Sequence, residues 1–382
     1  MSGRGHASAG FGEILAETRI LIVCGSGGVG KTTVAAALAA MAAKQGRRVL
    51  ALTIDPARRL ADALGLARSG DEAVPVSLPR GSRGALWARM LDRETALDRL
   101  IGRHAPSPER RAEILHNRFY RHVSSTLVGA HEYVAMEELA HLAGQDDHDL
   151  LVLDTPPAAR ALHFLDAPRK IATVLEDPVF RAAVGSFASA GRVSRRGLGV
   201  AGLALRAFSR LLGSEMLRET LEFLVAFQEM FDGFKTRARD AARLLEAPGT
   251  GFVVVATPHR SSLDDAARLA DELGRRDMRL LAAIVNRIHP DPGEPPGDTA
   301  ELAERLMREG GGQFRSPREL RRLLFQLVEN HRRFQGLARA EAALSGQFAE
   351  RLGRPLFGMP RRTRPVTDVA GLLDLATGLQ QR

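Results

Sequence analysis

Short apolar runs alternate along the chain with longer stretches whose apolar residues recur every three to four positions. The short runs fall at 20–23, 48–54, 150–153, 251–256 and 280–286, and each ends on Gly, Asp, Thr-Pro or Asn-Arg. Such runs, bounded by turn and polar signals, read as buried strands. Helical periods lie between them, over 34–44, 87–143, 261–274, 318–352 and 367–379, with a short last strand at 354–360. Strand alternating with helix predicts an α/β fold, a mostly parallel sheet flanked by helices. Residues 67–84, with Pro75 and Pro79, read as a polar loop.

One interval breaks this rhythm. Residues 158–249 are far longer than an ordinary crossover helix and are rich in Leu, Phe, Ala and Gly. The pattern predicts a helical subdomain inserted in the α/β core. The expected division is a flexible N-terminal arm (1–18), a first part of the core (19–170), the helical subdomain (171–249) and a second part of the core (250–382). Met216, Leu217, Leu221, Leu224, Phe227, Met230, Phe231 and Phe234 form an amphipathic stripe in the insertion. It packs its own core or, because Met and Phe re-pack easily, offers an adaptable groove to an apolar client.

The chemistry concentrates after the first strand, at Cys24-Gly-Ser-Gly-Gly-Val-Gly-Lys-Thr-Thr33. Glycines let a loop bend tightly and turn its N–H groups inward, and the following helix adds its positive end, so the stretch reads as a phosphate-binding P-loop. Gly27, Gly28, Val29, Gly30, Lys31, Thr32 and Thr33 are the candidate nucleotide contacts, with Lys31 reaching the terminal phosphates and Thr32 ligating Mg²⁺. Asp55 closes the second apolar run. It either caps the helix that Pro56 starts, sits where open α/β sheets bind ligands, or does both. Asp154 ends the third run as a Walker-B carboxylate near Mg²⁺, and Thr155-Pro156-Pro157 is a candidate phosphate-sensing switch. Asn286 ends a later strand with both a donor and an acceptor, suited to an adenine edge.

Composition narrows the partners. The 382 residues carry a net charge of +9, and only Lys31, Lys44, Lys170 and Lys235 of the cations are lysine. The arginines are spread along the chain among acids, with two tyrosines and one tryptophan, a pattern of a solvated surface rather than of a nucleic-acid site. The single cysteine, Cys24, excludes an internal disulfide and fits a reducing cytoplasm. No apolar run is long enough to span a bilayer, and no signal pattern opens the chain.

Together these motifs resemble the anion-pump and tail-anchored-protein-targeting (GET pathway) ATPases, the ArsA-like group of the deviant-P-loop class. The resemblance covers about 19–380 and rests on Gly25–Thr33, on Asp55-Pro56-Ala57 with Leu60 and Asp62, and on Asp154-Thr155 with Pro157 and 162–168. Gly129, Glu132, Tyr133, Met136 and Glu137, together with Asn286, also match. It implies an Mg-dependent ATPase that works as a homodimer, or as a heterodimer with a paralogous subunit. ATP would close the pair and join apolar helical surfaces into a groove for a hydrophobic or tail-anchored protein, with a membrane partner. It also implies that Asp55 activates the attacking water beside Lys31, in a cytoplasmic protein that can be peripheral to the membrane.

Three departures qualify the likeness. The family's P-loop carries a lysine where this chain has Ser26, so hydrolysis by the chain alone is expected to be slow, or to need an arginine such as Arg58 or a partner's lysine. Switch II has Ala159-Arg160 in place of Gly-His. The lone cysteine disfavours arsenite, a soft ligand that selects clustered thiolates. Two other readings remain at this stage: a membrane- or DNA-associated positioning ATPase, and a non-hydrolysing regulatory subunit.

Overall fold

The computed structural model of the chain describes residues 10–54, 59–66, 72–91, 93–118, 120–121, 130–156, 165–170, 172–173, 176–178, 219, 223, 230–295, 297–309 and 316–381. The strands are β1 Ile20–Gly25, β2 Arg48–Thr53, β3 Val74–Val76, β4 Ala85–Met90, β5 Leu150–Asp154, β6 Thr250–Ala256, β7 Leu280–Ile288, β8 Leu356–Pro360 and β9 Gln380–Gln381. The helices are α1 Phe11–Ala16, α2 Lys31–Lys44, α3 Arg59–Ala63, α4 Arg93–His104, α5 Pro108–His116, α6 Ala130–Gly144, α7 Phe231–Glu246, α8 Arg260–Arg275, α9 Thr299–Glu309, α10 Pro317–Leu352 and α11 Val369–Thr377.

The strands form one sheet in the order β3-β4-β2-β5-β1-β6-β7-β8-β9. All neighbours pair in parallel except β3 and β9, which close the two edges antiparallel. Strands buried on both faces need no polar alternation, and β1, β5 and β6 are buried at every position. Successive residues nevertheless feed different cores. Leu21 and Val23 pack with α1, α2 and α11 on one face. Ile20, Ile22 and Cys24 pack with α6, α7 and α8 on the other. Ten of the fourteen residues of α2 are buried, so this Ala-rich helix lies inside the layer rather than on it. A third cluster joins Leu100, Ile101, Tyr120, Tyr133, Met230 and Phe234 at the base of the insertion.

Three expectations need correction. Residues 10–18 are not a loose arm. Phe11 meets Phe357 edge-on at 5.0 Å and Leu15 is fully buried, so α1 is part of the core. The helical reading from Trp87 fails, because Leu86 and Ala88 are buried while Ala85 and Trp87 are half-exposed, a period of two that makes β4 a strand. The loop over 67–84 contains β3, whose Pro75 is tolerated because it lies on a sheet edge. Of the amphipathic stripe, Met230 and Phe234 lie in the chain's own core, and the remaining positions lie outside the described side chains.

The long helix α10 spans 36 residues and is set at both ends by its sequence. The Ser316 hydroxyl accepts from the Glu319 N–H at 3.2 Å, with Pro317 at the first helical position. Gly353, at φ +59°, ends it in the left-handed conformation that glycine favours.

Candidate functional site

The sheet register brings Val23, Thr53 and Asp154 to one level at the carboxyl end of β1, β2 and β5. Chain crossings diverge on the two sides of β1, so a crevice opens there. Ser26–Gly30 forms the loop across its floor. Gly28 and Gly30 have φ of +78° and +93°, values that a side chain resists. A Cβ on Gly30 would also collide with Nδ2 of Asn286. The Lys31 ammonium donates to the Ser26 carbonyl at 2.9 Å and is largely buried, so it closes the loop from within.

Beneath the loop, two hydroxyls converge on one carboxylate oxygen. Thr32 Oγ1 donates to Asp154 Oδ2 at 2.6 Å, and Thr53 Oγ1 to the same atom at 3.2 Å. Thr155 Oγ1 donates to the Val23 carbonyl at 2.9 Å and ties the start of the switch segment to β1. Cys24, at the same strand end, has its thiol pushed up to about 12 by burial. It is a packing residue and not a nucleophile. Asp55 lies outside the described residues, as do Arg58, Ala159 and Arg160.

The crevice is a cavity of about 990 Å³ that runs from the loop to a second end built from distant segments. Asn286 stands between the two ends. Its amide donates to the Val29 carbonyl at 2.8 Å and its oxygen accepts from the Arg287 N–H at 2.9 Å. The residue read as an adenine contact is thus a tether of the glycine loop. Beyond it, the Glu341 carboxylate accepts from the His289 backbone N–H and ring Nδ1, both at 2.8 Å. Arg361 meets Nε2 of the same ring at 3.2 Å. A guanidinium only donates, so Nε2 accepts and Nδ1 carries the ring proton. The loop 360–366 completes this end.

At the rim of the loop, the Ser26 hydroxyl donates to Asp265 Oδ2 at 2.9 Å. Arg268, one turn along α8, pairs with the other oxygen of that carboxylate. Hydrogen bonds from Arg268 first and Ser26 second hold Asp265 below the usual carboxylate range. The position that carries lysine in the resembling family is therefore joined here to a carboxylate. Sequence reading did not single out Asp265, His289, Glu341 or Arg361. The one available signal was Glu341, which stands on the helix where the period calls for an apolar residue.

A second set of charges underlies the insertion. Glu137 pairs with His104 at 3.0 Å and Arg237 at 2.8 Å, while Glu138 pairs with Arg89 at 2.9 Å and with Arg103. Burial alone would raise the Glu138 carboxyl, but Arg103 and Arg89 outweigh it and hold it low. These pairs fasten α4, α6 and α7 to β4 and to one another. Of the helical motif in the resemblance, Tyr133 and Met136 are buried in the neighbouring cores.

Residues 18–306 match the family profile described as anion-transporting ATPase. The chain belongs to the anion-transporting ATPase (ArsA ATPase) family. An uncharacterized protein of Streptomyces coelicolor is 30% identical over 290 residues, covering 74% of this chain but only 65% of its own length. The ATPase get3 of Aspergillus terreus is 28% identical over 271 residues, 71% of this chain and 73% of that protein. An ATPase ASNA1 homolog of Trypanosoma cruzi is 26% identical over 300 residues, 72% of this chain and 76% of that protein. The P-loop nucleotide-binding fold is thus common ground between this chain and an ATPase family. Among the described residues no helix is long and apolar enough to cross a membrane.

Proposed function

We propose that this ArsA-family chain binds Mg-ATP in the crevice and hydrolyses it as one subunit of a two-subunit ATPase. The observation that carries this reading is the juxtaposition of the Lys31-closed glycine loop with the Thr32–Asp154 pair at 2.6 Å. The loop's positive φ values turn backbone N–H groups toward an anion, and α2 adds its positive end. A hydroxyl beside a carboxylate is a hard-oxygen donor set, the class that Mg²⁺ takes together with substrate phosphates. Bound Mg²⁺ would neutralise charge on the phosphates. The chain's part is to hold them with Lys31 and the loop, to hold the metal with Thr32 and Asp154, and to place the nucleoside between Asn286 and the 360–366 loop. Asp55 is assigned to orienting the attacking water, and the insertion to handling a hydrophobic protein segment in the cytoplasm or at a membrane surface. Met230 and Phe234 are occupied in the core, so any client groove lies elsewhere in the insertion.

A second reading is an ATP-binding subunit that does not hydrolyse alone. The Ser26–Asp265 bond supports it, because a carboxylate stands at the rim where a positive charge would assist phosphoryl transfer. One experiment separates the two: steady-state ATP hydrolysis by the wild type, Ser26→Lys and Asp55→Asn. The first reading expects measurable turnover that Asp55→Asn removes without loss of ATP binding. Turnover that Asp55→Asn leaves intact contradicts the role of Asp55. Binding without turnover in the wild type, gained with Ser26→Lys, supports the regulatory reading.

A further inference from the structure

Helix α10 carries an apolar seam that touches the crevice at Leu337 and Glu341 and otherwise faces away from it. Positions 320, 323, 327, 330, 334, 337, 341, 344 and 348 follow one another in alternating steps of three and four. That is the a/d repeat of a coiled-coil seam. Its two ends are satisfied inside the molecule. Leu320 packs on α9, and Glu341 and Phe348 are buried. Between them the seam is open, with Leu323, Leu327, Phe334 and Leu337 exposed by 44%, 53%, 56% and 42%. Together with Phe325, on another face, these are the large exposed apolar residues of the described structure. Four on one seam are too regular for the scattered apolar residues of an ordinary surface.

The flank of the seam says what would cover it. Segment 318–339 carries six arginines against two glutamates. Arg321, Arg332 and Arg339 have carboxylate partners, whereas Arg322 and Arg333, along the outer edge of the seam, have no ion-pair partner among the described residues. A second copy would set these arginines against like charges, in a chain already at +9. A bilayer is also a poor match. The open stripe is one seam wide, and its inner edge is walled by the chain's own buried Leu324, Val328 and Ala338. A narrow a/d row is what a single helix fills.

We propose that the α10 seam docks one helix of a different, acidic polypeptide in coiled-coil packing. Leu337 also lines the crevice, and Phe334 packs against His289, 6.3 Å between ring centres, so the docked helix would lie beside the nucleoside end. Asn330, a polar residue at a d position, would set its register. The proposal uses no property of ATP and stands whether or not the chain hydrolyses it.

The test uses the full chain and a fluorescein-labelled synthetic peptide of about three heptads, with Leu at a and d and Glu at e and g. A matching peptide with Lys at e and g is the control. By fluorescence anisotropy the acidic peptide binds and the basic one does not. Phe334→Glu weakens binding at least about tenfold, as expected for a central anchor. Arg322→Glu with Arg333→Glu reverses the preference toward the basic peptide. Thermal melts of all variants should match the wild type, since these side chains are exposed. Equal binding of both peptides, no binding of either, or binding indifferent to Phe334→Glu overturns the proposal. So does binding to phosphatidylserine vesicles that Phe334→Glu abolishes, which would make the seam a membrane surface. A peptide-free dimer broken by Phe334→Glu would instead assign the seam to a second copy.

Discussion

The proposed phosphate end and the proposed nucleoside end of the crevice are built in opposite ways. The phosphate end comes from one contiguous loop between β1 and α2, with Asp154 added from the adjacent strand. The nucleoside end gathers Asn286, His289, Glu341 and the 360–366 loop, drawn from β7, α10 and the segment after β8. A local loop is fixed by its own backbone dihedrals and its lysine. A gathered site is fixed by packing and by hydrogen bonds between segments far apart in sequence. The first should therefore fail in chemistry when altered, the second in geometry and affinity.

The largest effect is expected at the phosphate end. Lys31→Ala removes both the loop closure and the phosphate cation, and should lower hydrolysis by about a hundredfold or more. Intact activity in a phosphate-release assay would break the contrast. Next, Asp154→Asn should weaken Mg²⁺ affinity by about 10–100-fold, the range for residues that support a metal site. A Mg²⁺ titration of hydrolysis would show it as a shifted midpoint with the fold intact. An unchanged midpoint would separate Asp154 from the metal.

At the nucleoside end the prediction is smaller and of another kind. Glu341→Ala leaves the His289 N–H groups without their buried acceptor, at a cost of about 1–3 kcal/mol in stability. The KM for ATP should rise several-fold while kcat holds. A fall in kcat with constant KM would place Glu341 in the chemistry instead.

Two further predictions concern titration. Cys24 should resist thiol reagents at pH 8 until the chain unfolds, because burial pushes its pKa up to about 12. The unfolded thiol ionises at about 8.5. Stability held by the buried neutral thiol is therefore complete below that pH and is lost as pH rises toward 12. The smallest effect is expected from Ser26→Ala, which removes one of the bonds holding Asp265 low. A carboxylate with a depressed folded pKa adds stability above its unfolded value, ~3.9. The difference between mutant and wild type should thus appear at neutral pH and vanish in acid melts.

The same contrast governs what the sequence disclosed. Gly27–Thr33, Asp154 and the central strands were legible because glycine spacing and apolar runs are local signals. The structure brings Thr32 and Asp154 within hydrogen-bonding distance. Trp87 was misread because its strand is short and its period of two is easily lost before a long helical region. Phe11 and Leu15 were missed because a six-residue helix that starts between glycines carries too little pattern. The Glu341–His289–Arg361 chain was not legible, since its members are separated by up to 72 positions and meet only when α10 folds over β7. Ser26 was noticed as a departure, but its partner Asp265 lies 239 positions away and needed the fold.

The most direct test of the account is calorimetric titration of ATP, with and without Mg²⁺, into the wild-type chain and Lys31→Ala. The account predicts saturable binding by the wild type that Mg²⁺ strengthens and Lys31→Ala abolishes. Equal binding by both proteins, or none by either, would contradict the assignment of 26–33 as the phosphate site.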